Sequence, residues 1–401
     1  MTAPILTQPA ARASFGSREP NETIEDRALA LYVHWPFCVS KCPYCDFNSH
    51  VREQVDQDAW AAALLADLAY EAALLPGRRL RSIFFGGGTP SLMPAATVAA
   101  LIDAATRHWP ASDDIEISLE ANPSSVEAAC FADLALAGVN RVSLGLQALD
   151  DDALRFLGRA HDVREGLGAL DVAQQHFGRV SFDLIYARPG QDEAAWDAEL
   201  ARALGFGTGH LSLYQLTIEP GTRFATLAAQ GRLQPFDEEL GATLFELTQA
   251  RTAAAGLPAY EVSNHARPAD RSRHNLTYWR GGDYAGVGPG AHGRREGTAT
   301  VRHKKPENFL SAVARNGHGL QSEDLLSPAD RASEALLMGL RLVEGVDLDA
   351  IRARSGASSI LNQVAADRLI GHGLLWRDGP RLGVTPAGML VLNAVLGEIV
   401  A

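Results

Sequence analysis

The stretch Cys38-Val39-Ser40-Lys41-Cys42-Pro43-Tyr44-Cys45 puts three cysteines inside eight residues, spaced Cys-x3-Cys-x2-Cys. No fourth cysteine follows nearby; the remaining one is Cys130. A closed structural zinc site takes four ligands, and an ordinary 4Fe-4S cluster takes four cysteines. Three thiolates on a cubane leave one iron without a protein ligand, open to a small molecule. The competing reading is a zinc knot with His50 or His34 as fourth ligand. A chain of 401 residues with further matching motifs is unlike the small modules that zinc builds. Four cysteines and no secretory apolar segment point to a reducing compartment rather than to disulfides. Cys130, in the apolar helical pattern Val-Glu-Ala-Ala-Cys-Phe-Ala-Asp-Leu, reads as a small core residue.

The chain is long enough for two or three domains. At 46% hydrophobic and 21% charged residues it has the composition of a soluble globular protein. Its net charge of −12 argues against nonspecific nucleic-acid binding by the whole surface, a local basic patch aside, and no nucleic-acid partner is expected. Residues 1–27 are polar and aperiodic, which predicts a disordered leader rather than a signal peptide.

From residue 28 to 218 a strand–turn–helix pattern repeats six times. Expected strands are Leu29–His34, Ser82–Phe85, Ile115–Glu120, Arg141–Leu146, Val180–Ile185 and His210–Thr217. Expected helices between them are Trp60–Leu75, Ser124–Ala137, Asp162–Phe177 and Glu193–Leu204. Ser124-Ser-Val-Glu127 has the form of a capping box. Such alternation predicts an α/β fold with a parallel sheet, either an open doubly wound sheet or a partial barrel. The chemistry-bearing residues gather just after the strands: the cysteine loop, Gly86-Gly87-Gly88-Thr89-Pro90, Glu120-Ala121-Asn122-Pro123, Gln147, Asp183 before Arg188-Pro189-Gly190, and Thr217. One face at the carboxyl ends of strands is where such folds do their chemistry. The triple glycine is not a P-loop, since no Gly-Lys-Ser/Thr follows.

Beyond 218, Asp237–Ala255 predicts a long helix and Ala259–Asn264 a short strand. A glycine-rich run, Gly286-Val-Gly-Pro-Gly-Ala-His292-Gly293, follows. Helices over Pro328–Leu342, Leu348–Ser355 and Ile360–His372, a hairpin turn at Asp378-Gly379 and a helix from Thr385-Pro386 give a winged-helix-like order. Residues 331–401 hold seven basic and seven acidic residues, so this unit has no electrostatic footprint for DNA.

The cysteine spacing resembles that of the radical S-adenosylmethionine (SAM) superfamily. The resemblance implies a partial (β/α)6 barrel and an open iron that chelates the amino and carboxylate groups of SAM. It also implies an electron from the cluster breaking the C5′–S bond to give a 5′-deoxyadenosyl radical. The runs Leu31-Tyr32-Val-His-Trp-Pro-Phe-Cys38, Phe84-Phe-Gly-Gly-Gly-Thr-Pro90, Arg141-Val-Ser-Leu-Gly-Leu-Gln147, Leu157-Gly-Arg159-Ala-His161 and Asp183-Leu-Ile-Tyr186 resemble the oxygen-independent coproporphyrinogen oxidase, or HemN-like, family. That likeness, from about residue 29 onward, implies that Tyr32, Gly87 and Glu120 touch the SAM on the cluster. It implies a second SAM held by Thr89, Gln147, Arg159 and Asp183, with Tyr44 and Gly88 also at second-site positions. Arg159 would pair with a carboxylate and Asp183 would accept from a ribose hydroxyl. Tyr44 would also pack on adenine, and Thr217 joins the set at the sixth strand end.

Phe47 stands where the oxidases carry a fourth cysteine, and the leader is short. With Cys45-Asp-Phe-Asn-Ser49 and His274-Asn-Leu-Thr-Tyr278-Trp279, an HNxxYW segment, the chain resembles the HemW branch, the haem chaperones. This implies a cytoplasmic protein, soluble or peripheral at a membrane, with one 4Fe-4S cluster, SAM and haem as cofactors or cargo. Its partners would be a reduced electron donor and a haem-acceptor protein such as a membrane respiratory enzyme. His274 is the implied haem-ligand candidate, with Arg271 and Arg273 for the propionates, Tyr278 and Trp279 as ring faces, and His265 and His292 next in line. The alternative for His274 is a structural histidine. The alternative for the chain is an oxidoreductase, coproporphyrinogen dehydrogenase or another radical SAM enzyme. The expected organisation is a leader (1–27), a barrel (28–236), an extension with the HNxxYW segment (237–320) and a HemN-like accessory domain (321–401).

Overall fold

A computed structural model of the chain describes residues 28–234 and 237–400. The leader expected over 1–27 lies outside the described residues.

The main sheet is built on β1 (Ala28–Trp35), β2 (Arg79–Gly87), β3 (Ala111–Ala121), β4 (Arg141–Gln147), β5 (Arg179–Tyr186) and β6 (His210–Gln215), parallel and adjacent in that order. β7 (Asn264–Ala266) adds antiparallel to β6. On the other edge β8 (Tyr284–Val287) runs parallel to β1. β9 (His292–Arg295), β10 (Thr298–Arg302) and β11 (Leu320–Leu325) continue antiparallel. The six-strand partial barrel is therefore the middle of a larger mixed sheet whose edges, β11 and β7, do not pair with each other among the described residues.

The sequence of β1 shows how this sheet is held. Leu29, Leu31, Val33 and Trp35 alternate with Ala30, Tyr32 and His34. The first set is buried against helix α1 (Gln57–Leu74), with Trp60, Leu64 and Leu68 opposite. Each such side chain contributes about 1.5–3 kcal/mol of burial. Helices α2 (Ala95–His108), α3 (Val163–His176) and α4 (Glu193–Leu204) cover the same outer face, Asp162 and Asp192 capping the last two. The other face is polar at every strand: Tyr32, Ser82, Glu116, Ser118, Glu120, Arg141, Ser143, Ser181, Asp183, His210 and Ser212. Parallel strands covered on both faces are ordinarily apolar throughout. A polar inner face needs partners, and those partners define the two ends of the lumen.

Several local expectations shift. Ser124–Ala137 is two short helices, Ser125–Ala128 and Phe131–Leu136. The capping box is half formed: Ser124 Oγ accepts from Glu127 N at 3.3 Å, but the Glu127 carboxylate turns to Asn122 N, 2.8 Å, and to Ser91 Oγ. Cys130 sits at the break and is exposed, not a core residue. The sixth strand ends at Gln215, which leaves Thr217 exposed beyond it. The strand expected over Ala259–Asn264 forms later, at β7, because Ala259 makes only an isolated bridge to His265. The long helix α5 is Glu238–Ala254.

The HNxxYW segment is helix α6 (Arg273–Trp279), and α7 (Pro306–Asn316) packs beside α1. The C-terminal unit has α8 (Pro328–Gly339), α9 (Leu348–Ser355) and α10 (Gln363–Gly371), a small sheet of β12 (Val346–Asp347), β13 (Leu375–Asp378) and β14 (Arg381–Val384), and α11 (Leu392–Ile399). β14 lies between β12 and β13, with Gly379 at φ 56° in the hairpin turn, a winged-helix-like arrangement around its own core of Leu336, Ile351, Leu369, Leu382 and Val395.

Candidate functional site

The cysteine loop lies over the carboxyl ends of the strands. Phe37–Cys38 pairs with His50–Val51, which closes the loop on itself. Phe224 N donates to Pro43 O at 2.9 Å, tying the loop to the segment after β6. Tyr44 sits in the apolar cluster with Phe156 and Phe224. Each thiol region has a polar neighbour. Thr89 Oγ1 donates to Cys38 Sγ at 3.4 Å, and Arg159 Nη1 donates to Cys42 Sγ at 3.3 Å. The Ser49 hydroxyl is buried without a strict hydrogen-bond partner and lies beside Cys38 and Cys45. Burial pushes the Cys38 and Cys45 thiols up, while these hydroxyls pull the other way. Donors aimed at sulfur suit bound thiolates, whose negative charge they share.

The zinc alternative finds no support in the geometry. Among the described residues no three His, Cys, Asp or Glu side chains approach closely enough to hold one ion. His34 engages both ring nitrogens, with Tyr32 Oη at 2.9 Å and Asn48 O at 2.9 Å. His50 Nε2 is 3.2 Å from Asn48 Oδ1. A cubane places each thiolate on a different iron and needs no such convergence, so the donor set fits it.

The strand ends bring most of the expected residues beneath this loop. Gly87, at φ 117°, takes a conformation a side chain rarely adopts, and its N–H donates to Glu120 Oε2 at 3.1 Å. At Gly88 a Cβ would stand 3.0 Å from Cys38 Sγ and 2.7 Å from Phe37 O, so only glycine lets β2 approach the loop. Gln147 holds φ 68° at the end of β4, a strained position for a residue with a side chain. Arg159 Nη2 reaches Asn122 Oδ1 at 2.6 Å and Gly145 O at 3.0 Å. Asn122 in turn donates to Thr89 Oγ1 at 3.1 Å. Asn122 was not singled out as a ligand-binding residue, although the run Glu120-Ala-Asn-Pro placed it at a strand end. Asp183 accepts from Ser143 Oγ at 3.3 Å.

Burial, then the neighbouring Asp183 charge, pushes Glu120 up to about 7, against the Gly87 N–H and Arg141. Burial pushes Asp183 up to about 6, against Ser212, Ser143, Arg141 and Arg159. Two carboxyls facing one lumen are thereby poised near neutrality, able to accept from a cationic or hydroxyl-bearing ligand.

Tyr32 apart, whose ring lies 6.3 Å from that of His274, the strand-end residues are not joined by the HNxxYW segment. Helix α6 closes the opposite end of the lumen. Glu116 on β3 accepts from Ser272 Oγ (3.3 Å), Arg273 N (3.1 Å), His274 N (3.1 Å) and Arg179 Nη1 (2.6 Å). Against burial, Arg141, Arg179 and these N–H groups hold its carboxyl below the usual range. His274 is buried; its Nδ1 meets Ser82 Oγ at 3.0 Å and its Nε2 meets Tyr278 Oη at 2.5 Å. Its ring stacks on Phe84 at 4.9 Å, and burial lowers its pKa to about 3. Ser82 lies five residues before Gly87 on β2, so the two ends of the lumen are about 16 Å apart along the strand. Arg273 pairs with Asp114 at 2.9 Å, Arg271 lies over Tyr260, and Trp279 lies under Arg341 of the C-terminal unit at 4.8 Å. His274 thus sits in a packed setting with both ring nitrogens engaged. His265 is likewise buried, its Nδ1 2.9 Å from Thr252 Oγ1.

Comparison with known proteins agrees with this layout. The model of the radical SAM superfamily matches residues 32–202, and that of the HemN C-terminal domain matches residues 326–391. A mitochondrial radical S-adenosyl methionine domain-containing protein 1 from Bos taurus is 40% identical, over 92% of this chain and 86% of its own. The haem chaperone HemW of Escherichia coli is 37% identical, over 92% and 97%. The solved structure of E. coli coproporphyrinogen III oxidase, HemN, superposes with a TM-score of 0.78 over 93% of this chain and 90% of that one, at 23% identity, a likeness of fold.

Proposed function

The chain belongs to the HemW family of radical SAM proteins, and from that membership we propose that it is a haem chaperone. In this reading it binds haem, one 4Fe-4S cluster and SAM, and passes haem to an acceptor protein. The observation that carries the reading is the nearly end-to-end similarity to a haem chaperone, covering 97% of the E. coli relative. Cys38, Cys42 and Cys45 would hold three irons, and the cluster, when bound, supplies an electron and an open iron for SAM. Tyr32, Gly87 and Glu120 are the proposed partners of that SAM. Thr89, Gln147, Arg159 and Asp183, with Gly88 and Tyr44, are the proposed second-site positions. Thr217, exposed past β6, is the weakest member of the set.

The chain's own contribution is orientation and charge. Thr89 and Arg159 share charge with the thiolates. Glu120 fixes the Gly87 backbone, and the Glu120–Asp183 pair offers carboxyls that ionise when a cationic ligand arrives. The reading places the protein in the cytoplasm, meeting its acceptor in solution or at a membrane surface and its electron donor at the cysteine loop. No helix among the described residues is long and apolar enough to cross a membrane. The same reading divides the chain into a barrel (28–236), an extension (237–320) and an accessory domain (321–401), whose first residues give β11 to the main sheet.

The test is anaerobic reconstitution followed by two parallel assays. Haem should bind near one per chain, and coproporphyrinogen III should not be converted to protoporphyrinogen IX with SAM and reductant. Robust decarboxylation without stoichiometric haem binding would make the protein an oxidase instead.

A further inference from the structure

The glycine-rich run 286–293 takes no part in the strand-end set. It forms the end of β8, a turn at the cysteine end of the sheet, and the start of β9. Close approach dictates its glycines. A Cβ at Gly286 would overlap the His292 carbonyl, one at Gly288 the His34 carbonyl, and one at Gly290 the Asn48 amide. Asn48 Nδ2 donates to Pro289 O and Lys304 O, each at 2.9 Å. The turn is therefore clamped against β1 and the tail of the cysteine loop.

One side chain in this run has chemistry to offer. Tyr284 pairs with Arg294, which sets Gly286 opposite His292, and Gly286 pairs in turn with Tyr32. Residues opposite one another share a face of the sheet, so His292 stands on the same face as Tyr32, toward the lumen. Its charge is felt at His34. Of the inner-face histidines, His34, His210 and His274 engage both ring nitrogens. His292 is exposed and has no hydrogen bond to its ring among the described residues. Partial burial, with Arg294 and Lys304 nearby, keeps it below the ordinary imidazole range, in the neutral form that can bind a metal.

The cysteine loop, at the same end of the sheet, has a matching character. Val39, Phe47 and Val51, on the cysteine loop and its tail, are exposed at 70%, 59% and 46%. Lys41 and Lys304 are exposed beside His50 and form no ion pair among the described residues, in a chain whose net charge is −12. Apolar surface, free ammonium groups and a neutral imidazole are what an iron porphyrin with two carboxylates requires. We propose that His292 is the axial ligand of haem at the cysteine end of the sheet, with Lys304 and Lys41 pairing with the propionates. The inference rests on the haem-chaperone reading and assigns that reading its cargo site, at a residue outside the HNxxYW segment.

The experiment is a haem titration of the full chain, anaerobically reconstituted, comparing wild type, His292→Ala, His274→Gln and Lys41→Glu/Lys304→Glu. For His292→Ala the expected result is a shifted Soret band and affinity weakened on the order of tenfold or more. Cluster iron and sulfide should be unchanged, and added imidazole should restore the wild-type spectrum. His274→Gln should keep the wild-type haem spectrum. The lysine variant should lose affinity for haem but not for haem dimethyl ester. An unchanged spectrum and affinity in His292→Ala, with wild type binding haem, overturns the site and leaves the chaperone reading standing. Failure of wild type to bind haem overturns both.

Discussion

The two ends of the lumen are both polar, yet they treat their carboxyl groups in opposite ways. At the α6 end, Glu116 receives donors from Ser272, Arg273, His274 and Arg179, and His274 is bonded at both nitrogens. At the cysteine end, donors point at thiols, two carboxyls share the lumen with their pKa values raised, and Gln147 holds a strained backbone. Mutual satisfaction builds stability, while groups left short of partners build a binding site. A histidine motif is therefore not a ligand site merely because its residues could serve as one.

Removing any of Cys38, Cys42 or Cys45 should sharpen this contrast most. Each variant should fold but lose the oxygen-sensitive 4Fe-4S absorbance entirely, checked by iron and sulfide content after reconstitution. Glu116→Ala should do the reverse. It strips the N–H groups of α6 and the half-buried Arg179 of their acceptor, costing about 3 kcal/mol in denaturant unfolding. Cluster assembly in the surviving fraction should be normal.

A third prediction uses the opposite sign of Glu120. Its folded pKa, about 7, lies above the ordinary 4.5. The native state thus holds a proton that the unfolded chain releases between those values, so this group's contribution to stability falls as pH rises through that window. Glu120→Gln should therefore stabilise the SAM-free protein relative to wild type as pH goes from 5 to 8, by about 1–2 kcal/mol after discounting for partial exposure. It should also weaken SAM binding. A variant less stable than wild type at pH 8 would contradict the assignment of Glu120 to the binding end. Smallest of all, Ser49→Ala should change stability by less than about 1 kcal/mol. It should lower the midpoint potential of the cluster in a redox titration, because a donor near sulfur favours the reduced, more negative state.

Much of this was legible in the sequence. The six strands of the barrel, the strand-end placement of Gly87, Thr89, Glu120, Gln147, Arg159 and Asp183, and the winged-helix-like order came from periodicity, glycines and motif spacing. Alternation such as Tyr32 and His34 between Leu31, Val33 and Trp35 already encoded a polar inner face. What sequence could not supply was long-range pairing. That β8 lies parallel to β1 depends on glycines at 288 and 290 fitting against His34 and Asn48, more than 200 positions earlier. That Ser82 meets the His274 ring and Glu116 its backbone N–H was hidden in the sequence, because both lie far away in the chain. Cys130 looked buried because an apolar period does not reveal where a helix breaks.

The contrast between the two ends can be put to one measurement: hydrogen–deuterium exchange of the reconstituted protein with and without SAM. The account predicts new protection at 86–89, 120–122 and 145–147 and in the cysteine loop, with 273–279 unchanged. Protection gained in 273–279 while the strand ends stay unaffected would contradict it.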